Sequence, residues 1–487
     1  MNTHTNGAAG GLGVRARRLR DFGRALRLSR TELARADRMD AESVRRLQQG
    51  RLEILVRHAA AHSPFYRDHY RGIDGGNVAL AALPPVTKDA LMDDFDGWTT
   101  DRSLKLADLE RHIDGLSGDD LHLGRYRVMA TSGSTGGRGV FVYSEAEWTM
   151  NLANFARLNE RLVGVHPRLL PHRLRVASVG TTSPIHISTR NGLSVSVGIN
   201  RVLRLDARRS VDELAAALDA FRPDLVVGYP SVLAMLADEH EAGRLRFRPA
   251  KVVTVSEVRT PEMTETIRRA WGVEPFSWYG ITEGGVLAGD CEHHRGMHVF
   301  EDLFIVENMD ADGRPVPDGV VGHKLLLTNL FNRTQPLIRY ELSDMVVLDS
   351  RPCPCGRTCR RVRSIEGRSD DILRLPARAG GQVAVHPITL RSPFARLAEL
   401  RQYKVLHDEG RIHVLIVARD RSKSEATERR VRDSLAKALL DVGAQPPPIL
   451  VETVAVIPRD QGHGAKFKLI ESRPRVTPLA TGSARRP

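Results

Sequence analysis

The chain has 487 residues, 41% of them hydrophobic, with four cysteines and a formal charge of +13. That length exceeds what one hydrophobic core organises, so a large domain plus a smaller one is expected, and four locally clustered cysteines exclude a secreted disulfide framework. Ten of the thirteen charges lie at the ends: residues 1–30 hold seven arginines against one aspartate, and residues 473–487 hold four arginines and no acid. No nucleic-acid motif or interleaved stacking aromatics accompany them, so they read as solvated tails with no specific nucleic-acid partner. No apolar run approaches a membrane span, and residues 1–13 are small and polar where a signal peptide carries its apolar region; a cytoplasmic protein that does not engage membranes is expected.

In chain order, Val14 to about Gln49 carries arginine, leucine and alanine at helical spacing, and a second helical pattern runs through Leu52, Leu55 and Val56 to His62. We read residues 1–49 as a basic, partly disordered helical lead-in and 50–369 as the main domain. Arg127-Val-Met-Ala130 reads as a strand entering the segment Thr131-Ser-Gly-Ser-Thr-Gly-Gly-Arg-Gly139, and Val140-Phe-Val-Tyr143 as the returning strand. Trp148, Leu152, Phe155, Leu158 and Leu162 then recur at helical spacing, so the glycine-rich segment sits inside a folded unit and is not a flexible linker. From Leu174 onward short apolar strands alternate with helices: 175–179, 225–228, a helix from Ser231, 252–255, a helix from Pro261, then 275–278. This is an α/β pattern with a largely parallel sheet.

After Asp371 the character changes. Strands at 402–404 and 412–417, a charged helix over 424–440 and a last strand over 451–457 describe a small α+β unit spanning 370–472. The proline run before Pro448 cannot continue that helix. Residues 473–487 read as a disordered basic tail.

The chemistry is carried by four segments. Gly133, Gly136, Gly137 and Gly139 permit a tight backbone around phosphate, and Thr131, Ser132, Ser134 and Thr135 add hydroxyls. No Gly-Lys-Ser/Thr follows, so this is not the common P-loop. Tyr279-Gly-Ile-Thr-Glu283, Arg339-Tyr-Glu-Leu-Ser-Asp344 and Gly367-Arg-Ser-Asp370 come after it in order. Together they read as an ATP-dependent adenylating enzyme. Cys291 and His298, with Cys353-Pro-Cys355, supply three thiols and one imidazole, a common closed structural zinc set; His293, His294 and Cys359 are spare candidates, and the clustering of every cysteine within two segments favours zinc over four buried or idle thiols.

In this order, and with Leu83-Pro-Pro-Val-Thr-Lys88 ahead of them, the motifs resemble the phenylacetate-CoA ligase branch of the acyl-adenylate-forming superfamily. The similarity covers roughly residues 50–470, and its closest flavour is the relatives that include deazaflavin-adenylating synthetases and capsule-gene homologues. The resemblance implies a large N-terminal adenylate-forming domain with mainly parallel sheets and flanking helices, and a small α+β C-terminal lid. It implies ATP and magnesium, a small carboxylic acid activated as its adenylate with release of pyrophosphate, and an acceptor such as coenzyme A. By motif match Glu283 holds the magnesium, Thr282 contacts phosphate, Tyr279 with Gly280 lies against the adenine, Asp344 binds the ribose hydroxyls and Arg368 reaches the ribose or phosphates. Asp370 matches the hinge, and within Gly464-Ala-Lys-Phe-Lys-Leu-Ile470 Lys466 matches the catalytic lysine, with Lys468 as the alternative two residues on. Ser178 to Gly180, His186, Tyr229 and Pro230 fall where relatives line the acyl pocket, although each also reads as a core residue.

One departure bears on the acceptor. Where relatives continue past the hinge with a short asparagine-bearing loop, this chain has a longer stretch from Arg374 to Pro387 that lacks the asparagine. An amine, a carrier-protein thiol or a hydroxyl therefore competes with free coenzyme A, making an amide ligase, a carrier-loading enzyme or an adenylyltransferase the second reading. A nucleotide-binding protein without turnover is the third, and the presence of Glu283 and a lid lysine argues against it.

Overall fold

Helices begin where the sequence supplies side-chain oxygens for the unpaired N–H groups of a first turn. Ser210 and Glu213 form a reciprocal capping box on the helix Val211–Phe221. Thr260 caps the helix Pro261–Trp271, and Pro230 opens the helix Pro230–Glu241, where a missing N–H costs nothing. The computed structural model describes residues 12–73, 79–131, 138–163, 173–394, 397, 399–408, 410–459, 464 and 466–472.

Their contacts divide the chain into two units, Met1–Ile365 with Asp460–Lys466, and Glu366–Arg459 with Phe467–Pro487. In the first, β1 (Arg127–Ala130) and β2 (Val140–Tyr143) make an antiparallel hairpin. β3 (Arg175–Gly180), β4 (Arg201–Asp206), β5 (Leu225–Gly228), β6 (Lys251–Val255) and β7 (Phe276–Ile281) pair in parallel. β8 (Gly285–Gly289) and β9 (Met297–Val299) return antiparallel. β10 (Phe304–Met309), β11 (Lys324–Asn329) and β12 (Tyr340–Leu342) form a separate antiparallel sheet. With β13 (Asp344–Asp349) and β14 (Arg361–Arg368), the large sheet among the described residues runs β13-β14-β9-β8-β7-β6-β5-β3-β4. The runs Leu-Val-Val-Gly of β5 and Val-Val-Thr-Val in β6 are apolar almost throughout, as strands covered by helices on both faces require.

The N-terminal helices pack into this unit. One helix, Leu12–Leu28, places Asp21 at 2.9 Å from the Arg127 guanidinium, each 1% exposed, and Asp119 lies 3.3 Å away on the other side. Sequence periodicity separates a helix ending near Gln49 from one through Leu52; the structure instead has a single helix Ala41–His62, with the break at residues 37–40 because the Asp40 carboxylate accepts from the Ser43 N–H and starts a new helix there. Arginines that read as a solvated tail have acidic partners: Arg17 and Arg18 face Asp119, Arg24 Glu145 and Arg30 Glu160.

In the second unit β15 (Leu373–Pro376) and β16 (Gln382–Val385) form a hairpin, so the stretch expected as a loop from Arg374 to Pro387 is ordered sheet followed by a helical turn, Pro387–Arg391. β17 (Leu400–Asp408), β18 (Arg411–Ala418), β19 (Ile449–Thr453) and β20 (Ile470–Ser472) make a four-stranded sheet in the order β19-β18-β17-β20, with the helix Ser424–Asp441 supplying Val431, Leu435 and Leu439 to its core. The strand expected over 451–457 thus ends at Thr453, and β20 was not anticipated.

Candidate active site

Two of the motifs meet at the C-terminal end of β7. The Tyr279 hydroxyl donates to an Asp344 carboxylate oxygen at 2.6 Å, and both residues are buried. β7 then turns into β8 through Thr282 and Glu283. Gly285 closes that turn with φ +79°, and a side chain there would collide with the Asn151 amide, so only glycine fits. The Thr282 carbonyl accepts from the Tyr143 hydroxyl at 2.9 Å, the Glu283 carbonyl accepts from the Asn329 amide at 3.2 Å, and the Tyr340 hydroxyl stands 3.4 Å from the Glu283 carboxylate. Glu283 is 8% exposed. Burial, reinforced by Glu283 and Glu147, holds the Tyr143 phenol far above its ordinary range, so it is a hydrogen-bond donor at any working pH.

Arg339 ties a third motif to this site. In the left-handed region at φ +51°, it donates to the Leu83 carbonyl at 2.6 Å and pairs with Glu307 at 2.9 Å. Val86 N–H donates to the Arg339 carbonyl and Glu341 N–H to the Val86 carbonyl, so the Leu83–Lys88 segment lies along Tyr340 as a one-residue bridge. At the glycine-rich segment Thr131 and Gly139 close the base of the hairpin, N–H to carbonyl in one direction and N–H to the Thr131 hydroxyl in the other, both at 2.9 Å. Ser132, Gly133, Ser134, Thr135, Gly136 and Gly137 lie outside the described residues.

His186 and Tyr229 are buried in the first unit, His186 at the start of the helix Ile187–Ser194 and Tyr229 directly after β5. Lys466 belongs to that unit and is exposed. In the second unit, Arg368 ends β14 and Asp370 lies in the single helical turn Ser369–Asp371, both exposed. Lys468 makes an ion pair with Asp371 at 2.6 Å. Burial nonetheless leaves the Asp371 carboxyl above its ordinary value.

Cys291, His298, Cys353 and Cys355 converge, each offering one ligand atom within 4.8 Å of the others. The Cys291 and Cys353 sulfurs are 3.7 Å apart and the Cys355 sulfur is 3.3 Å from His298 Nε2. Burial pushes the Cys291 thiol up to about 12. Of the spare candidates, Cys359 faces the opposite ring nitrogen of His298 at 3.4 Å, His294 packs on Phe276, and His293 is exposed. Tyr143, Asn329 and Tyr340 were not singled out as site residues. Only the polar tip of a phenol within an otherwise apolar strand marks Tyr143 in the sequence.

No family model matches the chain. It is 28% identical over 356 residues to the phenylacetate-coenzyme A ligase of Thermus thermophilus, covering 68% of this chain and 72% of that protein. It is 22% identical over 404 residues to the protein CapK of Staphylococcus aureus, covering 79% of this chain and 80% of that one. The crystal structure of a 2-hydroxyisobutyryl-CoA ligase in the postadenylation state in complex with R3-HIB-AMP superposes with a TM-score of 0.67 at 18% identity, covering 90% of this chain and 91% of that one. The fold is that of the adenylate-forming ligases. In sequence the chain is similar to phenylacetate-coenzyme A ligases, at 24–28% identity.

Proposed function

We propose that this chain joins a carboxylic acid to the α-phosphate of ATP and passes the acyl group to coenzyme A. The observation that carries the reading is the 2.6 Å hydrogen bond between Tyr279 and Asp344, which unites motifs 65 residues apart beside Glu283. In the first step a substrate carboxylate oxygen attacks the α-phosphorus, the bond to the β-bridging oxygen breaks, and pyrophosphate departs. In the second the thiolate attacks the acyl carbon and AMP departs. Tyr279 and Gly280 lie against the adenine, and Asp344 accepts from the ribose hydroxyls with Arg368 as a further contact. Tyr143 fixes the backbone of Thr282, whose side chain meets phosphate, and the loop from Thr131 to Gly137 cradles the remaining oxygens. Glu283 is the magnesium ligand; that ion, when bound, offsets charge on the triphosphate. Lys466 bridges carboxylate and α-phosphate oxygens, and Asp370 is the hinge between a domain spanning 50–369 and a small lid domain spanning 370–472. His186 stands at the acyl pocket.

Cys291, His298, Cys353 and Cys355 would hold a structural zinc. Four ligands near 2.3 Å from one tetrahedral ion lie about 3.8 Å apart, which the 3.7 Å sulfur separation supports. The stretch from Arg374 to Pro387, which lacks the asparagine and folds as the β15–β16 hairpin, motivates a second reading in which the acceptor is an amine, a carrier-protein thiol or a hydroxyl. ATP–pyrophosphate exchange across a panel of aromatic and aliphatic acids tests the first step. Exchange with at least one acid is expected, whereas tight nucleotide binding with no exchange for any of them would return the chain to a non-catalytic nucleotide binder.

A further inference from the structure

Tyr229 is set rigidly: its backbone N–H donates to the Val179 carbonyl, Pro230 follows it, and its ring packs over Gly180, where a Cβ would stand 3.4 Å from the ring. The residue is 2% exposed. Its hydroxyl accepts from the Thr181 N–H at 3.2 Å and donates to the Gly464 carbonyl at 2.6 Å, across 235 residues of sequence. Gly464 is buried, and Lys466, two residues further on, is exposed in the same unit. A phenol whose residue is held by the backbone around β3 thus donates to a carbonyl two residues from the lysine.

We propose that Tyr229 is a positioning residue that tethers the lysine-bearing segment through Gly464 and so sets where Lys466 stands during adenylation; the inference rests on the assignment of Lys466 as the adenylation lysine. A hydrogen bond from a fixed phenol removes the freedom of a segment whose ammonium must meet two substrates at once. A wall of the acyl pocket would act on the acid itself; the tether acts on the lysine and leaves the acid's binding unchanged.

Tyr229→Phe keeps the ring and removes the donor. In the full-length protein, tryptic cleavage after Lys466, followed by mass spectrometry without any substrate, should accelerate several-fold at an unchanged melting temperature. Equal cleavage rates would overturn the tether. With phenylacetate, benzoate and 2-hydroxyisobutyrate as probe acids, kcat for pyrophosphate exchange should fall about tenfold with KM for the acid unchanged, while thioester formation from preformed acyl-adenylate keeps its rate. A raised KM at constant kcat would make Tyr229 a pocket wall and defeat the proposal. Lys466→Ala separates the two claims. If the tether is right, Tyr229→Phe costs nothing further in the Lys466→Ala background; if Lys466→Ala leaves exchange intact while Tyr229→Phe still exposes the segment, the lysine assignment falls and the tether stands.

Discussion

Glu283 is a buried carboxylate with the Tyr340 phenol 3.4 Å from its side chain and the Asn329 amide donating to its carbonyl. A carboxylate oxygen is a hard donor of the kind that magnesium takes, and in the proposed reaction Glu283 is the one that would supply it. Glu283→Gln should therefore lower pyrophosphate exchange at least a hundredfold with little change in stability, and normal exchange would remove it from the site. The lysines divide in a comparable way. Lys468 makes an ion pair with Asp371 at 2.6 Å, and Lys466, the position that matches the motif, lies two residues from the Gly464 carbonyl that Tyr229 holds. We expect Lys466→Ala to reduce exchange by two to three orders of magnitude and Lys468→Ala by far less. The reverse ranking would shift the motif by two residues.

At the level of elements, the N-terminal helix Leu12–Leu28 is fastened to β1 by charge as well as by packing. Arg127 sits between Asp21 and Asp119, and Arg190 approaches Asp119 at 3.7 Å. Burial draws the Arg190 guanidinium down to about 10 despite that carboxylate. Removing one partner from such a cluster leaves uncompensated charge in a dry site, so Asp21→Ala should cost about 3 kcal/mol, read as a lower urea midpoint with unchanged slope. The cysteine cluster joins the turn after β8, strand β9 and the loop between β13 and β14. Metal analysis should find one zinc per chain, and Cys353→Ser should lower both metal content and melting temperature while sparing exchange measured below the transition. Zinc-free protein with an unchanged melting temperature would count against a metal there.

Across the whole molecule, the two proposed half-reactions would ask different things of the chain, since the proposed acid must be present before pyrophosphate leaves and the acceptor is needed only for the transfer that follows. The β15–β16 hairpin lies in the second unit, so shortening it should alter acceptor choice and leave acid choice alone. Product assays with coenzyme A, amines and carrier proteins in parallel, on the native and shortened chains, check this; identical acceptor profiles would exclude the hairpin from that role. Basic charge at the N-terminus has partners within the fold, with Arg17, Arg18, Arg24 and Arg30 each facing a carboxylate.

The sequence alone determined β3, β5, β6 and β7, the helices from Ser231 and Pro261 and the identity of the motif segments, but not β4, because apolar period, capping residues and glycine runs act over a few residues. Tertiary structure alone decided what stands around those motifs. Tyr143 reaches Thr282 across 139 residues, Arg127 reaches Asp21 across 106, and Tyr229 reaches Gly464 across 235. Such pairs leave no periodic trace, since each partner's local spacing is satisfied by its own strand or helix. The same cause explains the misplaced N-terminal helix break: one helical period runs through Gln49 without interruption, and only the Asp40 cap, seen once the backbone is placed, shows where the second helix begins.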